Sequence, residues 1–146
     1  MSTYTHILVA IDLTNTAEIV IKKAQQLSGP NTTLTLIHAI DYLPYMGFGE
    51  TALITPTYSI PNDELIDSAR KPIEQLQKKL GIENSKLLIE LGNAATEIVR
   101  FADDNKVDLI VLGSHGRHGA KLLLGSTANG VLHHANCDVL AVRIKD

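Results

Sequence analysis

Apolar residues in this chain gather in short continuous runs, and the stretches between those runs carry apolar residues at helical spacing. Ile7-Leu-Val-Ala-Ile11 is a run of the kind buried on both faces of a sheet, and it stops at Asp12. Asn15, followed three residues later by Glu18, has the form of a capping box. It predicts a helix that carries Ile19, Ala24 and Leu27 inward until Gly29-Pro30 ends it. A second strand follows over 33–40 and closes at Asp41. A longer helix begins near Asn62, places Leu65, Ile66, Ala69, Ile73, Leu76 and Leu80 on one side, and stops at Gly81, with Pro72 expected to kink or restart it. The run 87–91 is the third strand, Asn93 caps a helix carrying Ile98, Val99 and Phe101, and 107–112 is the fourth strand. A last helix over 126–135 leads to a final strand over 138–144.

Five apolar strands separated by helices predict an α/β domain spanning 1–146, a doubly wound (Rossmann-like) parallel sheet with helices on both faces and right-handed crossovers. Ligands in such sheets sit beyond the carboxyl ends of the strands, where the strand order reverses. In the order 3-2-1-4-5, Asp12 after strand one and Gly113 after strand four share that crevice. The 41–61 segment has no clean periodicity and exceeds most connections in length, as lids and disordered loops do. Its Tyr42, Tyr45 and Phe48 either cover a base or form a small satellite core.

Composition narrows the function classes. A hydrophobic share of 45% with four Tyr, two Phe and no Trp means an aliphatic interior, which suits a parallel sheet covered by helices. A net charge of −3 argues against nucleic acid, whose binding needs a basic face. A single cysteine, Cys137, permits no internal disulfide and is expected to be a half-buried, inert thiol of a cytoplasmic protein. No run is long enough to span a bilayer, so membrane insertion is not expected.

The chemistry concentrates in Val107-Asp-Leu-Ile-Val-Leu-Gly113-Ser-His-Gly116-Arg-His-Gly119-Ala-Lys-Leu-Leu-Leu-Gly125-Ser126-Thr127. A buried-type strand runs into a loop with four glycines in thirteen residues and then into a helix that opens on hydroxyls. Without Cβ atoms, glycines let backbone N–H groups approach an anion, and the positive end of the following helix favours negative charge. The structural alternatives are turn glycines and an ordinary N-cap at Ser126 or Thr127. The frame is neither a Walker P-loop nor Gly-x-Gly-x-x-Gly. His115 and His118 are three apart, but no Cys or carboxylate completes a zinc set, and His133 and His134 point to different faces of a helix. Arg117, His118 and Lys121 either bring positive charge to a phosphate tail or are solvated loop residues.

These segments together resemble the universal stress protein family over essentially the whole chain. The resemblance is carried by His6-Ile-Leu-Val-Ala-Ile-Asp12, Leu36-Ile-His-Ala-Ile-Asp41, Asp108-Leu-Ile-Val-Leu-Gly-Ser-His-Gly116, Leu124-Gly-Ser-Thr127 and Cys137-Asp-Val-Leu-Ala-Val-Arg143. One branch of that family binds ATP or AMP through Gly-x2-Gly-x9-Gly-Ser/Thr. Here Gly113, Gly116, Gly125 and Ser126 match, with eight rather than nine residues between Gly116 and Gly125. The resemblance implies that Asp12 and the backbone of Ala39 contact adenine, with Ala10, Ile11 and Gly113 near the ribose. It places His115, Gly116, Gly125, Ser126 and Thr127 around the phosphates, with Leu112, Arg117 and Ala128 completing the set. Asp12 also has a purely local reading, as the turn residue before the first helix.

The family resemblance further implies a homodimer through the 138–144 strand, a regulatory role in stress with a protein partner, no catalytic residues, and Mg2+ only as companion of a triphosphate. Two alternatives stand beside it: a slow ATPase or nucleotidyl-transfer enzyme, and a nucleotide-free dimeric scaffold.

Overall fold

The computed structural model describes residues 4–40, 62–114 and 125–144. The chain alternates β1 (His6–Ala10), α1 (Thr16–Leu27), β2 (Thr33–Ile40), α2 (Asn62–Lys79), β3 (Lys86–Leu91), α3 (Ala94–Asp104), β4 (Leu109–Gly113), α4 (Ser126–His134) and β5 (Asp138–Val142). All strand pairs are parallel, in the order β3-β2-β1-β4-β5 expected of the doubly wound sheet.

The sheet is buried on both faces. On one side Ile7, Val9, Leu36, Leu109 and Val111 pack with Val20, Ile21 and Ala24 of α1 and Ile73 of α2. On the other side Leu8, Ile37, Ile110 and Leu112 pack with Ile98 and Ala102 of α3 and Ala128 and Val131 of α4. Ile7, Leu8 and Val9 are each 0% exposed, which explains why β1 reads as an unbroken apolar run instead of alternating. Full burial of each such side chain is worth about 1.5–3 kcal/mol, so the central strand contributes heavily to the core.

Several local signals act as predicted. The Asn93 side chain accepts the Thr96 N–H at 3.0 Å and caps α3. Gly81, at φ +71°, closes α2 by a Schellman pair, with Ile82 N–H bonded to Gln77 C=O at 2.9 Å and Gly81 N–H to Lys78 C=O at 3.2 Å. The end of α3 uses the same bonding, Val107 N–H to Ala102 C=O at 3.1 Å, but with Lys106 at φ 55° where glycine is usual. Cys137 is half-buried, and that burial, with Asp103 and Asp138 nearby, pushes its thiol pKa up, away from reactivity.

Other expectations are corrected. Asn15 makes no side-chain cap bond and already has helical backbone angles, while Glu18 pairs with Lys79 at 3.1 Å rather than completing a capping box. Ile19 is 48% exposed, because the inward stripe of α1 is Ala17, Val20, Ile21 and Ala24. Pro72 does not restart α2, which runs through it. Pro72 is exposed, as is Ser68, the residue whose carbonyl loses an N–H partner to the proline. Ser126 is not the cap of α4; Gly125 is, and no side chain closes that end.

Candidate functional site

The carboxyl ends of β1 and β4 diverge around a crevice of about 620 Å³, within the range of small-molecule sites. Ala10, Ile11, Asp12, Ala39, Leu112, Gly113, Gly125, Ser126, Thr127 and Ala128 all line it. Ten residues singled out from four separate segments are thus brought to one place. His115, Gly116 and Arg117 lie outside the described residues, as do Tyr42, Tyr45 and Phe48.

Asp12 leaves β1 and turns the chain into α1. Its Oδ1 accepts from Thr14 N–H at 3.0 Å, from the Thr14 hydroxyl, and from the Thr16 hydroxyl at 3.3 Å. The local reading of Asp12 as a turn former therefore holds, and the crevice position holds with it. All three bonds fall on one oxygen, and the other carries none among the described residues.

At the neighbouring strand, Ile11 N–H still bonds Ile37 C=O at 2.9 Å, yet the β1–β2 register ends at Ala10↔Ile37. In a parallel ladder the next bond would run from Ala39 N–H to Ile11 C=O. Instead the Ile11 carbonyl accepts from His38 Nδ1 at 2.9 Å. Backbone groups of one strand residue face one neighbour, and Ile40 C=O faces β3 through Gly92 N–H at 2.8 Å. Ala39 therefore turns its N–H and C=O toward the crevice, past the end of β1.

On the opposite wall, α4 begins at Gly125 with no side-chain cap, so its first N–H groups and its positive end face the same space. Ser114 pins that wall. Its carbonyl accepts Gly125 N–H at 2.7 Å, its N–H donates to Val142 C=O at 2.8 Å, and its hydroxyl accepts Ile144 N–H at 3.2 Å. α4 lies tight on α3, since a Cβ on Gly130 would stand 2.8 Å from that of Ala95.

Sequence reading missed several parts of this site, among them His38, Leu65 and Ser68, which line the crevice, and the Ser114 staple behind it. Leu36-Ile-His-Ala was read as strand, and nothing local reveals that its histidine reaches across to residue 11. Among the described residues no three His, Cys, Asp or Glu side chains gather as a metal set, and Asp12 is the single carboxylate lining the crevice. No helix among them is long and apolar enough to cross a membrane.

Comparison with known proteins agrees with this architecture. The family model described as the universal stress protein family matches residues 3–143. Universal stress protein A homolog 2 of Coxiella burnetii is 42% identical over 149 residues, covering 99% of each chain. The solved structure of the Methanocaldococcus jannaschii protein MJ0577 superposes with a TM-score of 0.78 at 31% identity, covering 98% of both chains. UspA of Lactobacillus plantarum gives a TM-score of 0.73 at 25% identity over 98% of this chain and 100% of that one. A universal stress protein solved in complex with cAMP shares the fold, with a TM-score of 0.66 at 22% identity over 97% of this chain and 98% of that one. With sequence similarity along its whole length and the same order of strands, the chain belongs to the universal stress protein family.

Proposed function

We propose that this protein binds an adenine nucleotide, ATP or AMP, in the crevice between the ends of β1 and β4 and acts as a nucleotide-responsive regulatory protein. The observation that carries this reading is the pairing of two recognition elements in one cavity: the Ala39 backbone beside Asp12, unpaired on its crevice side among the described residues, and the start of α4 opposite them, which no side chain among those residues caps. Adenine presents a donor at N6 and an acceptor at N1, which suit an acceptor such as the Ala39 carbonyl or Asp12 carboxylate and a donor such as the Ala39 N–H. Guanine reverses both groups and is disfavoured. Ala10, Ile11 and Gly113 also line the crevice, near where a ribose would sit. Ser126 and Thr127 would donate to phosphate, while Gly125, whose N–H is spent on the Ser114 carbonyl, would let the anion approach the backbone closely. His115, Gly116 and Arg117 are assigned to the phosphate end on the family resemblance. Mg2+ would accompany a triphosphate on its own oxygens.

Binding fits the crevice better than catalysis. Hydrolysis needs a positioned water and a base, and Asp12, the one carboxylate lining the crevice among the described residues, is engaged in its turn. β5 lies at an edge of the sheet, where an unpaired apolar strand invites pairing, so the proposed assembly is a cytoplasmic homodimer through 138–144. A dimer mass by light scattering at micromolar concentration is expected, and a monomer mass removes that assembly. Titration calorimetry tests the main reading: saturable heat with ATP, ADP or AMP and much weaker heat with GTP is expected. No heat from any adenine nucleotide at millimolar ligand overturns it.

A further inference from the structure

His38 is 8% exposed, lines the crevice, and spends its Nδ1–H on the Ile11 carbonyl 27 residues away in sequence. That carbonyl accepts and cannot donate, so Nδ1 carries the proton. The bond replaces the one that a regular parallel ladder would form at this position, Ala39 N–H to Ile11 C=O, since the register stops one pair earlier although Ile11 N–H still reaches Ile37. A buried strand carbonyl must have a partner. If the ring did not supply one, the nearest donor along the ladder would be the Ala39 N–H itself.

We infer that His38 is the positioning residue that keeps the Ala39 backbone open for the base: its ring occupies the Ile11 carbonyl and so stops the β1–β2 ladder one bond short of the crevice. This rests on the adenine reading above for its functional consequence, while its structural half stands alone. Removing the ring would let Ile11 and Ala39 zip together. The polar edge that matches adenine would then be consumed within the sheet. Asparagine places an amide N–H close to where Nδ1 sits and can preserve the clamp; leucine cannot.

The test joins amide hydrogen exchange at Ala39 with calorimetry of AMP and GMP on the full chain. In ligand-free wild-type protein, Ala39 N–H should exchange much faster than Ile37 N–H, although both lie in β2. In His38→Leu, Ala39 should become slow, and AMP affinity should fall about tenfold or more, the scale of one lost recognition hydrogen bond. AMP discrimination over GMP should shrink with it. His38→Asn should keep AMP affinity within about threefold of wild type, a spread below one such bond. A slow Ala39 amide in the ligand-free wild type overturns the inference, and that arm does not depend on His38→Leu folding. A folded His38→Leu that binds AMP like wild type, with Ala39 still fast, overturns it as well. Wild type that binds no adenine nucleotide sinks the nucleotide reading and leaves the exchange arm to judge the clamp separately.

Discussion

The two ends of the sheet use the same kinds of residue to opposite effect. At the amino ends of the strands, the Asp108 carboxylate accepts Thr5 N–H at 2.8 Å, the Thr5 hydroxyl at 3.1 Å and His6 N–H at 2.9 Å. Tyr4 donates to Asp138 at 2.8 Å there, tying the chain's start to β5. At the carboxyl ends, Asp12 puts its bonds on one oxygen and lines a crevice. The histidines differ in the same way. His6 uses both ring nitrogens, on Asn105 C=O at 3.1 Å and Thr35 Oγ1 at 2.9 Å, and its ring meets the edge of Phe101. His38 uses one, among the described residues. One end is closed by saturating its polar groups, and the other stays receptive by leaving some of them unspent.

That contrast predicts a separation of effects. The largest is expected at the open end: Asp12→Ala should weaken ATP, ADP and AMP by a similar factor of about 10–100, the scale of a hydrogen bond to a charged group, because it touches the part they share. Calorimetry on the folded variant checks this. A loss confined to ATP would move Asp12 to the phosphate end and break the comparison.

Next comes the closed end. Asp108→Asn should cost about 1–2 kcal/mol by denaturant unfolding, the low end for charge-assisted bonds because solvent screens this site, with nucleotide affinity unchanged. The pH dependence has a definite sign. Burial works to raise the Asp108 pKa, but the N–H groups of Thr5 and His6 and the Thr5 hydroxyl outweigh it and hold the carboxyl below its ordinary 3.8. Its contribution is therefore complete above the unfolded-state value and is lost as pH falls through the lowered folded value. The stability gap between wild type and Asp108→Asn should accordingly close in acid below pH 3.8. A gap that widened there would contradict the assignment.

The smallest effect sharpens the comparison. Lys106 holds a left-handed conformation at φ 55° beside Asp108, so Lys106→Gly should add about 0.5–1 kcal/mol of stability without touching ligand affinity. Thermal unfolding measures it, and a loss of stability would mean that the lysine side chain matters more than its backbone strain.

Most of the fold was legible because a parallel sheet buried on both faces must be written as continuous apolar runs, and because Asn93 and Gly81 signal helix ends through strictly local geometry. Ile19 was misplaced for an equally physical reason. Ile19, Val20 and Ile21 are consecutive, three neighbours cannot all face one side of a helix, and packing against the sheet sets the phase. The last helix begins at Ser126 as expected, but its cap is Gly125 and not Ser126, since both residue types are acceptable there. Within the site, Asp12, Gly113 and Gly125 announced themselves by position and residue type. His38 and Ser114 did not, since their roles rest on bonds to residues 27 and 30 positions away that no local pattern encodes.

The most direct measurement is the amide NMR spectrum of the protein titrated with AMP. The predicted result is large shift changes at Asp12, Ala39, Gly113, Ser126 and Thr127, saturating together, with Thr5, His6 and Asp108 unmoved. Saturable binding that shifted the amides of Thr5, His6 and Asp108 and left Asp12 and Ala39 in place would contradict the account.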